Sequence, residues 1–299
     1  MLSTLRGRLP YLALITALAT AGCSSFEEPG RGPAAPDVRP LSGVTAFRHV
    51  DSVRLHDREE RAVTACMTAR GQEYEVQPAI ASARGEDTNP YGLLTLQRAT
   101  ADGYGIVGEY LHLRSVPPPT DKPHTKAWQQ ALTGTAKHRV MLQLPGGTNV
   151  QYSTDGCVAR AQADVYGPQW STLEPLTMNL ATRVLATVEE EPAYRKAVRR
   201  WSACMTKSGH PAADLQAARA PLNARLPAAA KDEKKLRALG RDEIEIAKAD
   251  AQCQEDTGLA KTVAHVQRTV ERRLLTAENR ETIAQYRQAK QRALTATVE

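Results

Sequence analysis

The sequence predicts a mainly α-helical protein: a disulfide-stapled helical bundle with one small β-hairpin in its N-terminal half and a long helical hairpin at its C-terminal end. Three observations carry that expectation. Apolar residues recur at steps of three and four through almost everything beyond Gly167, as in helices with one buried face. Four cysteines lie in the body of the chain. A single Gly-Gly turn is flanked on both sides by alternating apolar residues.

Taken in order, the first residues read as an export signal. Arg6 and Arg8 precede the apolar stretch Tyr11 to Ala19, and no acidic residue stands before Cys23. That stretch falls short of the about 20 apolar residues a membrane-spanning helix needs and fits the h-region of a signal peptide. It closes on Thr20-Ala21-Gly22-Cys23, which resembles the lipobox cut by lipoprotein signal peptidase, although Leu is usual where Thr20 stands. Small residues at Ala21 and Gly22 give an in-membrane protease access to an extended backbone beside a lipidated thiol. Cleavage would remove residues 1–22 and leave Cys23 as the acylated terminus, a membrane anchor once it carries two or three chains. The competing reading is an ordinary secretory peptide with a chance cysteine near its cleavage site. Residues 23–42, with Pro29, Gly30, Pro33, Pro36 and Pro40, lack periodicity and read as a flexible tether.

Residues 43–170 are expected to form a mixed, mostly helical N-terminal subdomain. A helix covers about Asp57 to Arg70, Tyr74-Glu75-Val76 is a short extended piece, and Leu93 to Ala101 a short helix. Gly103 to Gly108 is a glycine-spaced turn and Pro117-Pro118-Pro119 a rigid surface segment. Val140 to Leu144 and Thr148 to Tyr152 alternate about Pro145-Gly146-Gly147, as a β-hairpin does. Ser153-Thr154-Asp155 are good N-cap residues for a helix from Cys157 to Tyr166. Residues 171–299 are expected to be a helical C-terminal subdomain. Its helices are Leu173 to Ala186, a run opened by Glu191-Pro192 and continuing to Cys204, Arg241 to Thr257, and Leu259 to Val298. The Ala- and Lys-rich stretch Asp214 to Leu239 is part helix, part loop. Val263, Val266, Val270, Leu274 and Ala277 make an amphipathic stripe, either packed on the preceding helices or offered to a partner helix.

Four body cysteines in an exported chain read as disulfides. Cys66-Met67-Thr68-Ala69-Arg70-Gly71 and Cys204-Met205-Thr206-Lys207-Ser208-Gly209 echo one another, with Val63 and Trp201 three residues before each cysteine. On a helix each trio faces one side, and each helix then meets a glycine suited to a left-handed cap. The simplest pairing is sequential, Cys66 with Cys157 and Cys204 with Cys253. A four-cysteine zinc site is disfavoured because no pair has C-x-x-C spacing.

With these segments and Ala249 to Leu259 in view, the chain from about Cys66 onward resembles a group of actinobacterial exported lipoproteins of unassigned activity that carry paired Cys-Met-x-x-x-Gly helices. The resemblance implies a place outside a Gram-positive cytoplasmic membrane. It rests on scaffold residues and transfers no catalytic or binding residue.

Composition excludes more than it suggests. A net charge of +6, without a dense Lys/Arg run or interleaved aromatics, gives no nucleic-acid surface. The chain lacks G-x-S-x-G, S-x-x-K and H-E-x-x-H, so serine-hydrolase, penicillin-binding and zinc-peptidase chemistry have no motif. Gly146-Gly147-Thr148 lacks the lysine of a phosphate loop. His49, His56, His112, His124, His138, His210 and His265 are scattered, and His49 with His56 reads as a solvated pair rather than a metal site. Asp250 is an inward-facing acid expected to pair with an arginine of a neighbouring helix. Tyr104, Trp128 and Trp170 either line a ligand surface or pack the core.

The expectation is therefore an envelope lipoprotein held by a lipid on Cys23, non-enzymatic, with no cofactor and no metal, serving as an interaction or scaffold module for an envelope protein partner. A solute-binding or accessory lipoprotein of an ABC-type transporter is the alternative, weakened by the absence of repeated βα units. An enzyme acting on wall polymers ranks third and would need a cleft gathering two carboxylates.

Overall fold

The computed structural model describes residues 38–80, 82, 88–117 and 123–296. The expected signal segment 1–22, Cys23 and the expected tether as far as residue 37 lie outside them, as do Pro118 and Pro119. Eleven α-helices and one β-hairpin are found among the described residues, which belong to one compact unit. The protein is mainly helical, with the hairpin and both disulfides where the sequence suggests them. No helix among the described residues is long and apolar enough to cross a membrane.

The N-terminal half holds α1 (His49–Ala69), α2 (Leu96–Asp102), α3 (Ile106–Ser115), α4 (Lys126–Thr133), the hairpin β1 (Arg139–Gln143) and β2 (Asn149–Ser153), and α5 (Cys157–Tyr166). The hairpin is antiparallel, with Met141 opposite Gln151. The second half holds α6 (Trp170–Glu190), α7 (Pro192–Lys207), α8 (Ala220–Ala229), α9 (Glu233–Asp256), α10 (Leu259–Leu274) and α11 (Ala277–Thr295). The main core draws on both halves: Leu55, Tyr91 and Tyr104 join Val184, Trp201, Leu239, Val263 and Tyr286. A smaller cluster of Val63, Met67, Ala131, Cys157 and Ala161 lies between α1, α4 and α5.

The echoed segments fold alike. Val63, Met67, Trp201 and Met205 are all buried. Gln72 N–H donates to Met67 O and Gly71 N–H to Thr68 O; at the second site His210 N–H donates to Met205 O and Gly209 N–H to Thr206 O. Both are Schellman caps, which put a glycine in the left-handed region just past the helix. Gly71 has φ +67° and Gly209 +86°. Cys66 is bonded to Cys157, tying α1 to α5, and Cys204 to Cys253, tying α7 to α9.

Several boundaries differ from expectation, each for a physical reason. Helix α1 starts at His49 rather than Asp57, because Arg48 and Asp51 form an ion pair of 2.7 Å across its first turn. Tyr74 to Val76 belongs to no regular element and pairs with no strand; the Tyr74 hydroxyl and the Gln77 N–H donate to the buried Glu60 carboxylate. The first short helix starts at Leu96, where the Thr95 side chain caps it. The glycine turn spans only residues 103–105, and Ile106 opens a helix. Asp155 does not cap α5. It accepts from the Thr135 N–H and hydroxyl, and Gly156 takes the N-cap, where an added Cβ would stand 2.6 Å from the Gly134 nitrogen. The expected long last helix is two, because the Thr276 hydroxyl accepts from Asn279 N–H while the Asn279 amide donates to Leu274 O. Val263, Val266 and Val270 of the stripe are buried on α6 and α7, but Ala277 is exposed; α11 buries Ile283, Tyr286, Ala289 and Ala293 instead.

The bridges close loops of 91 and 49 residues, each worth about 4 kcal/mol in the chain-entropy account. Replacing either pair by alanine should lower the urea midpoint by most of that amount. Losing Cys66–Cys157 should in addition speed hydrogen exchange in α4 before global unfolding, since the small cluster has few other large side chains to hold it.

Candidate functional site

Five polar side chains that the core surrounds line α9 and α10. Glu243, Asp250 and Gln254 fall at steps of seven and four, Gln267 and Glu271 at a step of four, so each set lies on one helix face. Each reaches an irregular segment of the N-terminal half. Glu243 accepts from Ile106 N–H at 2.7 Å and Val107 N–H at 3.0 Å, supplying the N-terminal cap that α3 lacks locally. Gly103, at φ +62°, is required below it, because an added Cβ would stand 2.8 Å from Glu243 Cγ. Gln254 accepts from Leu94 N–H at 3.0 Å. Gln267 accepts from the Tyr91 hydroxyl at 2.9 Å and donates to Arg39 O at 2.9 Å. Glu271 accepts from Leu41 N–H at 2.8 Å.

Asp250 is the centre of this row and is fully buried. Its carboxyl accepts from the Tyr104 hydroxyl at 2.9 Å, Trp201 Nε1–H at 2.7 Å and the Gln254 amide at 2.8 Å. The expected arginine partner is not a direct one. Arg219 lies against the Tyr104 ring, 4.9 Å from its centroid, donates to Gly92 O, and acts on Asp250 only through the field. Burial pushes the Asp250 carboxyl up, against the three hydrogen bonds and Arg219, which pull it down. Two residues singled out separately in the sequence, Tyr104 and Asp250, thus meet across 146 positions.

On its outer side Tyr104 floors a groove of about 380 Å³ between α3 and α8, with Ile106, Glu109, Tyr110, Asn223 and Leu226. A second groove of about 380 Å³ runs between segment 39–47 and α6, lined by Pro40, Phe47, Met178, Ala181 and Leu185. Among the described residues neither gathers two carboxylates: Glu109 lines the first, and no acid lines the second.

A pair of acids does lie elsewhere, where α1, α5, α6 and α11 meet. Glu59 accepts from the Tyr166 hydroxyl at 2.6 Å. Tyr166, Trp170 and Tyr286 stack beside it, with successive centroids 4.0 and 4.9 Å apart. Burial raises the carboxyls of Glu59 and Glu174, and Glu59 raises Glu174 further. These groups sit at a helix junction and line neither groove.

Of the remaining aromatics flagged in the sequence, Trp170 is buried in that stack. Trp128 is half-buried, its ring lying 3.5 Å from His124 and its Nε1–H donating to Glu73 O. His56 is hydrogen-bonded to Gln77 O rather than joined to His49 in a metal site, and no cluster of three or more His, Cys, Asp or Glu side chains suited to a metal is found among the described residues. Sequence reasoning passed over Lys290. Burial brings its ammonium down to about 8, Nζ donates to Val44 O and Ala46 O, and it stands 3.6 Å from the Phe47 ring centroid. Only its place within an otherwise apolar stripe, between Ala289 and Ala293, hints at that role.

While the Gln254 amide keeps Gly92 O, Asp250→Ala would leave the Tyr104 hydroxyl and the Trp201 indole N–H buried without their acceptor, at about 1–3 kcal/mol each. Its urea midpoint should fall further than that of Asp250→Asn, which keeps one acceptor oxygen. The raised carboxyls set a pH trend. A group whose native value exceeds its unfolded one contributes stability below the unfolded value and loses it as pH rises through the native one. Glu59, Glu174, Glu243, Asp250 and Glu271 are all raised. Denaturation should accordingly show greater stability at mildly acidic pH than at slightly alkaline pH, and Glu174→Gln should flatten that difference by stabilising the alkaline side.

Comparison with protein-family models, curated proteins and solved structures finds no match for this chain.

Proposed function

We propose that this chain is an exported lipoprotein, acylated on Cys23 and held on the outer face of the cytoplasmic membrane, where its helical body serves as a non-enzymatic interaction or scaffold module of the cell envelope. One observation carries the reading: an arginine-led apolar stretch ends on Thr20-Ala21-Gly22-Cys23, ahead of a body whose four other cysteines are all in disulfides. Disulfides of that kind persist in oxidising compartments and are rare where glutathione keeps thiols reduced. Cleavage ahead of Cys23 leaves its thiol for acyl chains, and two or more chains give a stable anchor.

The body suits a binding rather than a catalytic role. Its buried acids are engaged with backbone amides, tyrosine hydroxyls and an indole, and both grooves are shallow surfaces rather than enclosed reaction chambers. What such a module offers a partner is a rigid helical frame whose irregular segments are fastened at many points.

Growth with radiolabelled palmitate should label the protein in the membrane fraction, and Cys23→Ala should abolish the label and release the body. Label that persists in Cys23→Ala, or free thiols on all four body cysteines in the native protein, would overturn the reading. Cross-linking in intact cells should recover an envelope protein; recovery of a transporter permease would instead make the chain an accessory of that transporter.

A further inference from the structure

The described chain begins at Val38, fifteen residues beyond Cys23. Fifteen residues span at most about 50 Å when fully extended. From Val38 on, the chain is fastened to the body. Asn89 Nδ2 donates to Val38 O, Gln267 Nε2 to Arg39 O, and Lys290 Nζ to Val44 O, each at 2.9 Å. The surface around segment 38–47 is therefore where the chain from Cys23 joins the body.

That surface is apolar with a cationic rim. The groove between segment 39–47 and α6 is floored by Pro40, Phe47, Ala181 and Leu185. Met178 lines it and is 46% exposed, and Val50, in the first turn of α1 and three residues beyond Phe47, is 64% exposed. Arg39 lines the groove, the Arg48 and Arg54 side chains are 79% and 51% exposed, and Lys290 lies over the Phe47 ring. Asp51 faces Arg48, Arg54 and Lys290, Asp57 follows one turn beyond Arg54, and Glu271 accepts from the Leu41 N–H. Among the described residues these four cations thus outnumber the three carboxylates around an exposed apolar centre, the arrangement that seats a protein shallowly among acidic lipid headgroups.

Resting on the reading that Cys23 carries the anchor, we propose that this face, centred on Phe47, Val50 and Met178, docks onto an anionic phospholipid surface. The apolar side chains enter the headgroup boundary and the arginines meet phosphates. The lipid anchor then fixes where the body is held, and this face fixes which way it points.

Methionine oxidation reads the proposal within one molecule. Met178 belongs to the face, whereas Met141 on the hairpin, 60% exposed, does not. The mature lipidated protein is reconstituted in phosphatidylcholine vesicles with or without phosphatidylglycerol and treated with hydrogen peroxide. Phosphatidylglycerol should slow oxidation of Met178 severalfold and leave Met141 unchanged. Both Val50→Asp and high salt should remove the protection. Equal slowing of the two methionines, or of neither, on a chain that carries label at Cys23 overturns the face and leaves the anchor standing. If Cys23 takes no label, the anchor fails, and the unlipidated chain mixed with the same vesicles at low salt tests the face by the same pair of methionines.

Discussion

A carboxyl group enclosed by the core is tolerated only if donors surround it, and the requirement at Asp250 organises much of this molecule. Trp201 supplies one donor from α7, Gln254 another from α9, the helix of Asp250 itself, and Tyr104 a third from the turn between α2 and α3. The Trp201–Asp250 hydrogen bond and the Cys204–Cys253 bridge are successive rungs, three residues apart on both α7 and α9. One rung is covalent and one polar, and together they fix the register of the two helices. Tyr104, held from behind by Arg219, then brings the turn and α3 onto α9.

The same logic extends along the helices. Most of the segments that link the N-terminal elements have no regular partner for their backbone groups, and such groups are costly to bury unpaired. Glu243, Gln254, Gln267 and Glu271 satisfy them one by one, so that loops rather than strands are tied to the bundle. A chain with only 5% aromatic residues has few large anchors for its core. Directed hydrogen bonds and two disulfides add the specificity that apolar volume alone would not give it.

Around residues 38–47 the fastening is dense enough to hold Leu41 and Ser42 at φ near +55°, a left-handed conformation unusual for residues other than glycine. That conformation costs about 1–2 kcal/mol per residue and persists because Glu271, Gln267 and Lys290 bind the neighbouring backbone. The body is thus most firmly sewn together where the chain arrives from its N-terminal segment. In the proposed lipoprotein, any pull from the anchor would be delivered there.

Local chemistry made the helical class, the hairpin and the cysteine pairs legible in the sequence. Periodicity in threes and fours, the Gly-Gly turn, and the repeated Cys-Met-Thr-x-x-Gly with its glycine cap each depend on residues a few positions apart, and neighbours decide them. The same holds for the export signal and Cys23, which remain readings of sequence alone because they lie outside the described residues. What escaped was decided at a distance. Ile106 begins a helix because a carboxylate 137 positions away caps it, and Tyr74 is fastened to Glu60 on α1. Asp250 meets neutral donors in place of an arginine, and the acids Glu59 and Glu174 assemble from two helices. No local pattern encodes such partners, since a polar side chain gains its role only when packing removes water and leaves one particular donor within reach.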